Sequence, residues 1–243
     1  MRASLIITTF KRPHLLKFSL RSIYRQLIDC EVIIINDGIE DGSGKIANSF
    51  GAQYHFIGQR NLDSEIWRVP AYAINYGVKK STGDVLLISC AEMYHLDDCI
   101  NQLVTSVKDD RFNLAIPYGV DDVTGNYLQD LECGAIHPPL TDCVPLNVKL
   151  PFLMGVDRKL FYHMGGYDED FVGQGYDDND FVDRMQLLGC DYKQVEAHCV
   201  HLFHPRNNNG HPTRTQTRLL YNRTLYTNRK GQVIRNLKGW GNG

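Results

Sequence analysis

An acidic, glycine-rich stretch from Gly165 to Asp180 carries the side chains best suited to chemistry in this sequence. It holds six carboxylates in sixteen positions, a composition typical of a turn that presents acidic groups rather than of a strand or a buried helix. Apolar residues then recur at helical spacing from Phe181 to Leu188. The sequence therefore predicts that Asp177 and Asp178 lie at the start of a helix.

Two adjacent carboxylates at a helix start could include a general base. Unpaired N–H groups and the helix dipole favour negative charge there, so one carboxylate is helped to stay ionised. Mutual repulsion raises the pKa of the other, which could then take a proton from a hydroxyl group. An acidic helix start on a solvated surface explains the same residues, and local sequence alone favours that simpler interpretation.

Composition bounds the class of protein. The 243 residues can form one large domain or two small ones. The formal net charge of -2 gives no indication of a nucleic-acid partner, and none is expected. The seven cysteines form no C-x-x-C pair, which is typical of a reduced intracellular protein. No signal peptide or membrane-spanning run is recognised, so a cytoplasmic location is expected.

The charge is unevenly distributed, because the segment from Pro205 to Gly243 contains eight Lys or Arg and no Asp or Glu. A solvated helix face, a diphosphate-binding patch and a contact with anionic lipid all remain possible for it. Apolar residues alternate with basic ones from Arg218 to Lys230, which predicts a basic amphipathic helix. Such a helix could lie on the cytoplasmic face of a membrane or dock against the core.

Short apolar runs alternate with segments of helical period over the first 118 residues. This alternation predicts an α/β fold in which helices flank a central, mainly parallel sheet. After Tyr118 the pattern lapses until Phe152, which is typical of a substrate loop. The predicted strands are Ala3–Thr9, Glu31–Ile35, Tyr54–Ile57, Val85–Ser89 and Leu114–Pro117, and the predicted helices follow Pro13, span Pro70–Val78 and run from Leu96 to Val107.

Polar residues stand at the carboxyl ends of three of these strands, where such sheets bind ligands. They are Thr8-Thr9, Asn36-Asp37 and Cys90-Ala91-Glu92. The glycine fingerprints of dinucleotide sites and of P-loops are both missing. Nucleotide binding would therefore need a different arrangement.

Six motifs, taken in order, resemble the family 2 type glycosyltransferases of the GT-A fold. Three resemble that family's first strand and turn, its Asp-Asp-Gly turn and the run before its Asp-x-Asp motif. The others resemble the C-terminal motif of the β-1,4-galactosyltransferase type and its bacterial relatives. The motifs are Ile6–Pro13, Ile34–Gly38, Asn75–Asp84, Phe152–Gly155, Gly165–Phe171 and Gly173–Asp180. Their common order is more specific than any single motif.

The resemblance implies a single GT-A catalytic domain over residues 1–243. Residues 1–118 would bind the nucleotide-sugar, residues 119–206 would hold the acceptor and the catalytic groups, and residues 207–243 would form the basic tail.

The resemblance also implies donor contacts. Thr8, Phe10 and Asp37 would hold the base and ribose, and Asp37 could accept a hydrogen bond from a uracil N–H. Arg68 lies seven residues before Asn75, hence on a similar helix face, and could touch the diphosphate, although a surface arginine is the simpler interpretation. The remaining donor-binding positions implied are Arg12, Arg68, Asn75, Cys90 and Ala91.

The metal motif departs from the family, because Cys90-Ala91-Glu92 stands in place of Asp-x-Asp. Mn²⁺ and Mg²⁺ prefer oxygen ligands, so the loss of one carboxylate weakens the site. The resemblance keeps Glu92 as a ligand and adds His204 and, second, His201. Residues three apart in an unbroken strand face opposite ways, so both histidines can bind only if the strand has ended before Pro205. Mn²⁺ or Mg²⁺ is the expected cofactor.

The catalytic roles follow from the same resemblance. Asp178 occupies the position of the general base, and Asp177 would orient the acceptor sugar. Retaining relatives carry Glu-Asn at this place, so a free carboxylate favours inversion and a β-linked product. Arg206 or Lys11 could help to neutralise the departing diphosphate. The acceptor site implied consists of Asp177, Gly173, Gln174, Gly175 and Tyr176.

The leading interpretation is an inverting glycosyltransferase that moves a sugar from a UDP-sugar to a glycan or a lipid-linked glycan in the assembly of a surface polysaccharide. The segment Arg206–Gly210 could close over the donor. A catalytically silent sugar-nucleotide or carbohydrate binder is the alternative, motivated by the altered Asp-x-Asp. Nucleotidyl transfer would need a glycine-rich loop containing Arg after the first strand, and Thr8–Pro13 does not supply one.

Overall fold

The computed structural model describes residues 2–26, 29–58, 68–146, 152–173, 175–205 and 212–242, except for the side chains of residues 212–215. The predictions made for Gln174, for Arg206 and for the segment Arg206–Gly210 lie outside the described residues.

Strands and helices alternate along the described chain, as predicted. The strands are β1 (Ala3–Thr9), β2 (Cys30–Asn36), β3 (Gln53–Phe56), β4 (Val85–Cys90), β5 (Met93–His95), β6 (Asn113–Asp121), β7 (Val144–Pro145), β8 (Leu153–Asp157) and β9 (Asp191–His201). The helices are α1 (Pro13–Tyr24), α2 (Ser43–Ser49), α3 (Pro70–Lys80), α4 (Cys99–Asp109), α5 (Asn126–Glu132), α6 (Arg158–His163), α7 (Asp177–Leu187) and α8 (Pro212–Arg229).

One sheet runs through both halves of the chain in the order β3-β2-β1-β4-β8-β6-β9-β5, with β7 paired to β6. Strands β3, β2, β1 and β4 are parallel, and β9 is parallel to β6. Strand β8 is antiparallel to both β4 and β6, and β5 is antiparallel to β9. The sheet is therefore parallel from β3 to β4 and mixed beyond β4.

The core lies on both faces of this sheet. Helices α1, α2 and α4 cover one face, and α3, α6 and α7 cover the other. Strand β1 is buried along its whole length, which explains its unbroken apolar run between two helical layers. Prolines occupy the first position of α1 and of α3, where a missing N–H costs no helical hydrogen bond.

The stretch after Tyr118 is more regular than predicted. Strand β6 continues to Asp121, and α5 follows. Both carboxylate oxygens of Asp122 accept backbone N–H groups at the start of α5, including that of Leu128 at 2.9 Å. Helix α5 buries Tyr127 in an apolar cluster beside α1. The helix escaped prediction because its seven residues complete only two turns of the apolar period.

The basic tail docks against the rest of the protein. The Asn222 side chain donates to the carbonyl oxygens of Val172 and Gly175 at 3.1 and 3.2 Å, and the Tyr226 hydroxyl donates to Asp183 at 2.5 Å. These contacts agree with the docking alternative for the tail. In the described parts of the chain, no helix combines the length and the apolar character needed to cross a bilayer. Contact with a membrane surface stays a prediction.

Candidate active site at the carboxyl ends of the strands

The acidic pair lies at the start of α7, as predicted. Tyr176, immediately before it, has a left-handed φ of 74°, and Gly175 has a φ of 87°. This tight turn brings Asp177 and Asp178 into the first turn of the helix, where helix N–H groups favour a carboxylate. The Gly173 N–H donates to the carbonyl oxygen of Arg68 at 2.8 Å. The acidic loop is thus joined to the segment that precedes α3.

Asp178 has the properties of a proton acceptor. The Tyr167 hydroxyl donates to Asp178 Oδ1 at 3.1 Å, and the Tyr167 ring stacks on Phe181 with centroids 4.3 Å apart. Burial raises the pKa of Asp178, and the charge of Asp177 raises it further. Burial also raises the pKa of Asp177, while the charge of Arg68 opposes that rise. Two half-buried carboxylates side by side hold one proton more readily than isolated ones.

A buried ion-pair network fixes the helix that carries this pair. Asp180 accepts from Arg184 Nε and from Arg235 Nη2, both at 2.7 Å. Arg184 also donates to the Gly166 carbonyl oxygen at 2.9 Å, and Arg235 pairs with Asp168 at 3.0 Å. Sequence reasoning missed these partners, because Arg235 lies 55 residues beyond Asp180.

Asn75, for which a donor contact was predicted, bonds to the acidic loop. Its side chain is fully buried. Its Oδ1 accepts the Tyr167 N–H, and its Nδ2 donates to the Tyr167 carbonyl oxygen and to Glu169, each at 2.8 Å. A Cβ on Gly166 would lie 2.4 Å from Asn75 Oδ1. Asn75 therefore braces the acidic loop.

The predicted donor-side residues meet at the carboxyl ends of β1, β2 and β4. Thr8 pairs with Ile35 on one side and with Cys90 on the other. Asp37 is fully buried, and its Oδ2 accepts the Val69 N–H at 2.7 Å. Burial raises the pKa of Asp37 to about 6, against the lowering effect of Arg68. Thr8 and two further residues predicted to bind the donor, Phe10 and Ala91, are also buried.

Arg68 lies between the strand ends and the start of α7. Helix α3 begins at Pro70, so Arg68 precedes the helix and the argument from a shared helix face with Asn75 is wrong. Its charge lowers the pKa values of Asp37, Asp177 and Asp178. Arg68 therefore lies within electrostatic range of both the predicted nucleotide contact and the acidic pair. The strand ends and the start of α7 face a common site.

Arg12 and Glu92 form an ion pair at the start of α1. The Glu92 side chain is 3% exposed and that of Arg12 is 19% exposed. Glu92 Oε2 is buried and has no hydrogen-bond partner among the described residues. A guanidinium thus contacts the carboxylate that the resemblance assigned to a divalent cation.

The two predicted histidine ligands lie side by side. Strand β9 ends at His201, so the condition that the strand ends before Pro205 is met. The rings of His201 and His204 are 5.2 Å apart between centroids. His201 Nδ1 lies 3.0 Å from Asp121 Oδ1. Asp121 escaped prediction because β6 was expected to end at Pro117, four residues earlier.

The arrangement does not fit the predicted Mn²⁺ or Mg²⁺ ligand set. Within the described parts of the chain, no group of three or more His, Cys, Asp and Glu residues could hold a metal ion. Glu92 is engaged by Arg12. Burial raises the pKa of Cys90 to about 11, so this thiol stays neutral and is a poor metal ligand.

Two family models match successive parts of the chain. A family model described as glycosyl transferase family 2 matches residues 4–165. A model described as the N-terminal domain of galactosyltransferase matches residues 153–206. A Bacillus subtilis (strain 168) protein named as an uncharacterized glycosyltransferase, YfnE, is 29% identical over 118 residues, which cover 48% of this chain and 29% of that protein.

Solved structures share the fold at low sequence identity. The mannosyltransferase PcManGT from Pyrobaculum calidifontis, in complex with GDP-Man and Mn²⁺, has a TM-score of 0.63 at 15% identity over 96% of this chain and 65% of that chain. GalNAc-T7 with UDP, GalNAc and Mn²⁺ has a TM-score of 0.68 at 14% identity over 94% of this chain and 48% of that chain. Both are GT-A glycosyltransferases, so the predicted fold is confirmed. The glycosyl transferase family 2 model matches more than half of this chain, so the chain belongs to that family.

Proposed function

We propose that this protein is an inverting glycosyltransferase that moves a sugar from a UDP-sugar to a hydroxyl group of a glycan or a lipid-linked glycan. Family membership supports transfer from a nucleotide-sugar. The single observation that carries the mechanism is the position of Arg68. Its carbonyl oxygen accepts the Gly173 N–H of the acidic loop at 2.8 Å, and the N–H of the next residue, Val69, donates to Asp37 at 2.7 Å. A donor nucleotide and a proton-accepting carboxylate would share one cleft.

The proposed reaction is a single displacement. The acceptor oxygen attacks the anomeric carbon, and the bond between that carbon and the phosphate oxygen breaks with its electron pair on the nucleoside diphosphate. Asp178 takes the acceptor proton. Asp177 holds the acceptor sugar through hydrogen bonds, and Tyr167 keeps Asp178 oriented. Attack from the face opposite the leaving group gives the β-linked product from an α-linked donor.

The acceptor would lie against the turn before α7. Gly173 and Gly175 adopt left-handed conformations there, which glycine adopts without steric cost. The Tyr176 ring packs near Tyr226 with centroids 5.5 Å apart, a surface that suits the apolar face of a sugar ring.

The activity is tested by incubating the protein with UDP-galactose, UDP-glucose, UDP-GalNAc, UDP-GlcNAc and GDP-mannose, with and without Mn²⁺, and measuring nucleoside diphosphate release. We expect release from one UDP-sugar, stimulated by an acceptor glycan. NMR of the product should show a β-anomeric proton. Retained configuration would contradict the single displacement, and absence of both release and nucleotide binding would contradict the function.

A silent binder is the second candidate, and the ion pair between Arg12 and Glu92 is the observation that favours it. Thermal shift separates the two candidates, because a ligand that binds only the folded state raises its stability. Stabilisation by UDP or a UDP-sugar, without release in the presence of any acceptor, would favour the binder.

The rate of transfer should depend on pH through the acidic pair. Asp178 must be ionised to accept a proton, and its pKa is raised by burial and then by Asp177. The rate should therefore increase with pH well above the ordinary carboxyl range of about 4. Asp177→Asn removes a repelling charge, so the pH at half-maximal kcat should fall in this variant.

The measurement is kcat at saturating donor and acceptor from about pH 4 to about pH 9. Asp191→Asn is the matched control, because Asp191 is an exposed carboxylate beyond the end of α7, at the start of β9. A half-maximal kcat at about pH 4 in the wild type would contradict the assignment of Asp178 as the proton acceptor. An unchanged dependence of kcat on pH in Asp177→Asn would contradict it as well.

A further inference from the structure

Two arginines in the candidate site stand just before the prolines that begin α1 and α3. Arg12 precedes Pro13, and Arg68 lies two residues before Pro70. Neither helix has an acidic residue in its first turn or a side-chain cap. The partial positive charge of each helix start therefore adds to that of the guanidinium groups.

Arg12 and Arg68 follow the same strand ends, because the Asp37 N–H donates to the Thr9 carbonyl oxygen at 3.2 Å and the Val69 N–H donates to Asp37 Oδ2 at 2.7 Å. Their positive charges therefore repel each other. Burial and then the charge of Arg68 lower the pKa of Arg12 to about 10. Arg68 Nε is buried and has no hydrogen-bond acceptor in the described parts of the chain. An anion bound between the two side chains would relieve the repulsion and supply the missing acceptor.

The ion pair between Glu92 and Arg12 disfavours a metal ion at the Glu92 carboxylate. One of its oxygens contacts the Arg12 guanidinium, so a divalent cation on that carboxylate would lie beside a fixed positive charge. Coulomb repulsion between a dication and a half-buried guanidinium weakens metal binding. The same ion pair holds the Arg12 side chain toward the ends of β1 and β4.

We infer that Arg12 and Arg68 bind the diphosphate of the donor directly, in place of a divalent metal, and that Glu92 positions Arg12. The inference rests on the proposed function. A diphosphate offers several oxygens to two planar guanidinium groups, and both can bind in a bidentate manner. As the bond to the sugar breaks, the negative charge that develops on the diphosphate would be neutralised by the two arginines.

Calorimetric titration of UDP, GDP and uridine, each in EDTA and in Mn²⁺, tests the inference. We expect UDP to bind in EDTA with a Kd within about twofold of that in Mn²⁺. Arg12→Gln and Arg68→Gln should each weaken UDP binding by about 10-fold or more, the range expected for charge-assisted hydrogen bonds. Uridine, which has no phosphate, should bind equally to the wild type and to both variants.

Arg111→Gln is the matched control. Arg111 lies 3.9 Å from Asp157, and Asp157 pairs with Val85 at the start of β4, away from the strand end at Cys90. UDP affinity should not change in this variant. Glu92→Gln separates two roles, because loss of a positioning contact affects binding in EDTA, whereas loss of a metal ligand affects binding only in Mn²⁺.

The outcomes are distinguishable. UDP binding that requires Mn²⁺, or UDP affinity in EDTA that Arg12→Gln and Arg68→Gln leave unchanged, would overturn the inference and keep the proposed function. Failure of every nucleotide to bind, with or without Mn²⁺, would overturn the proposed function and the inference with it. Circular dichroism of each variant shows whether the fold is retained.

Discussion

Replacement of Asp178 by asparagine should reduce the rate of sugar transfer by at least about 100-fold, the smaller limit of a general base contribution. The amide cannot accept the proton of the acceptor hydroxyl, although its oxygen can still accept the hydrogen bond from Tyr167. Donor binding should persist, because Asp37 and Arg68 are unchanged. The measurement is kcat for nucleoside diphosphate release together with the Kd of UDP.

The same variant should be at least as stable as the wild type. Burial raises the folded-state pKa of Asp178, so the folded protein binds this proton more tightly than the unfolded chain. The resulting stability is complete below the unfolded carboxyl pKa and is lost as pH rises through the raised value. Asparagine carries no charge to bury, so the free energy of unfolding of Asp178→Asn should equal or exceed that of the wild type at pH above this window.

Loss of activity with retained stability is the result that identifies a catalytic role. Asp191→Asn, at the exposed start of β9, should keep the wild-type rate. Full turnover by Asp178→Asn would remove Asp178 from the mechanism. A large loss of stability would instead show that the carboxylate serves the fold.

Arg184→Met should have the opposite effect and destabilise the fold by about 3–5 kcal/mol, the usual cost of removing one partner of a buried ion pair. Arg184 is 1% exposed and bonds to Asp180 and to the carbonyl oxygens of Met164 and Gly166. Methionine would fill a similar volume but would leave these acceptors without their donor.

Chemical denaturation measures this difference in the free energy of unfolding. Arg223→Met, on the exposed face of α8, is the matched control and should change stability by less than about 0.5 kcal/mol. If Arg184→Met were as stable as the control variant, the network around Asp180 would not hold α7 in place.

Local patterns in the sequence predicted the strands and helices between β1 and β4 well. Strands β1, β2 and β4 are buried on both faces, so their apolar runs are unbroken, and Pro13 and Pro70 mark the first positions of α1 and α3. The start of α7 was also predictable, since the apolar period begins at Phe181 directly after the acidic pair. These signals depend on neighbours along the chain.

The missed features depend on contacts between distant residues. No local pattern relates Arg235 to Asp180 or Asp121 to His201, because the register of β6 on β9 and the docking of the tail create these pairs. Arg68 was assigned to the site by resemblance but for a wrong geometric reason. Arg12 was predicted to contact the donor, and its pairing with Glu92 could not be read from residues 80 positions apart.

The order of the strands has a consequence for synthesis on the ribosome. Strand β5 pairs with β9, so its edge stays open until about a hundred further residues have emerged. The nascent chain can assemble β1 to β4 early, whereas Asp180 gains Arg235 only after 55 further residues have been made. The sheet around β1 thus forms first, and α7 gains the ion pairs that hold it in place later.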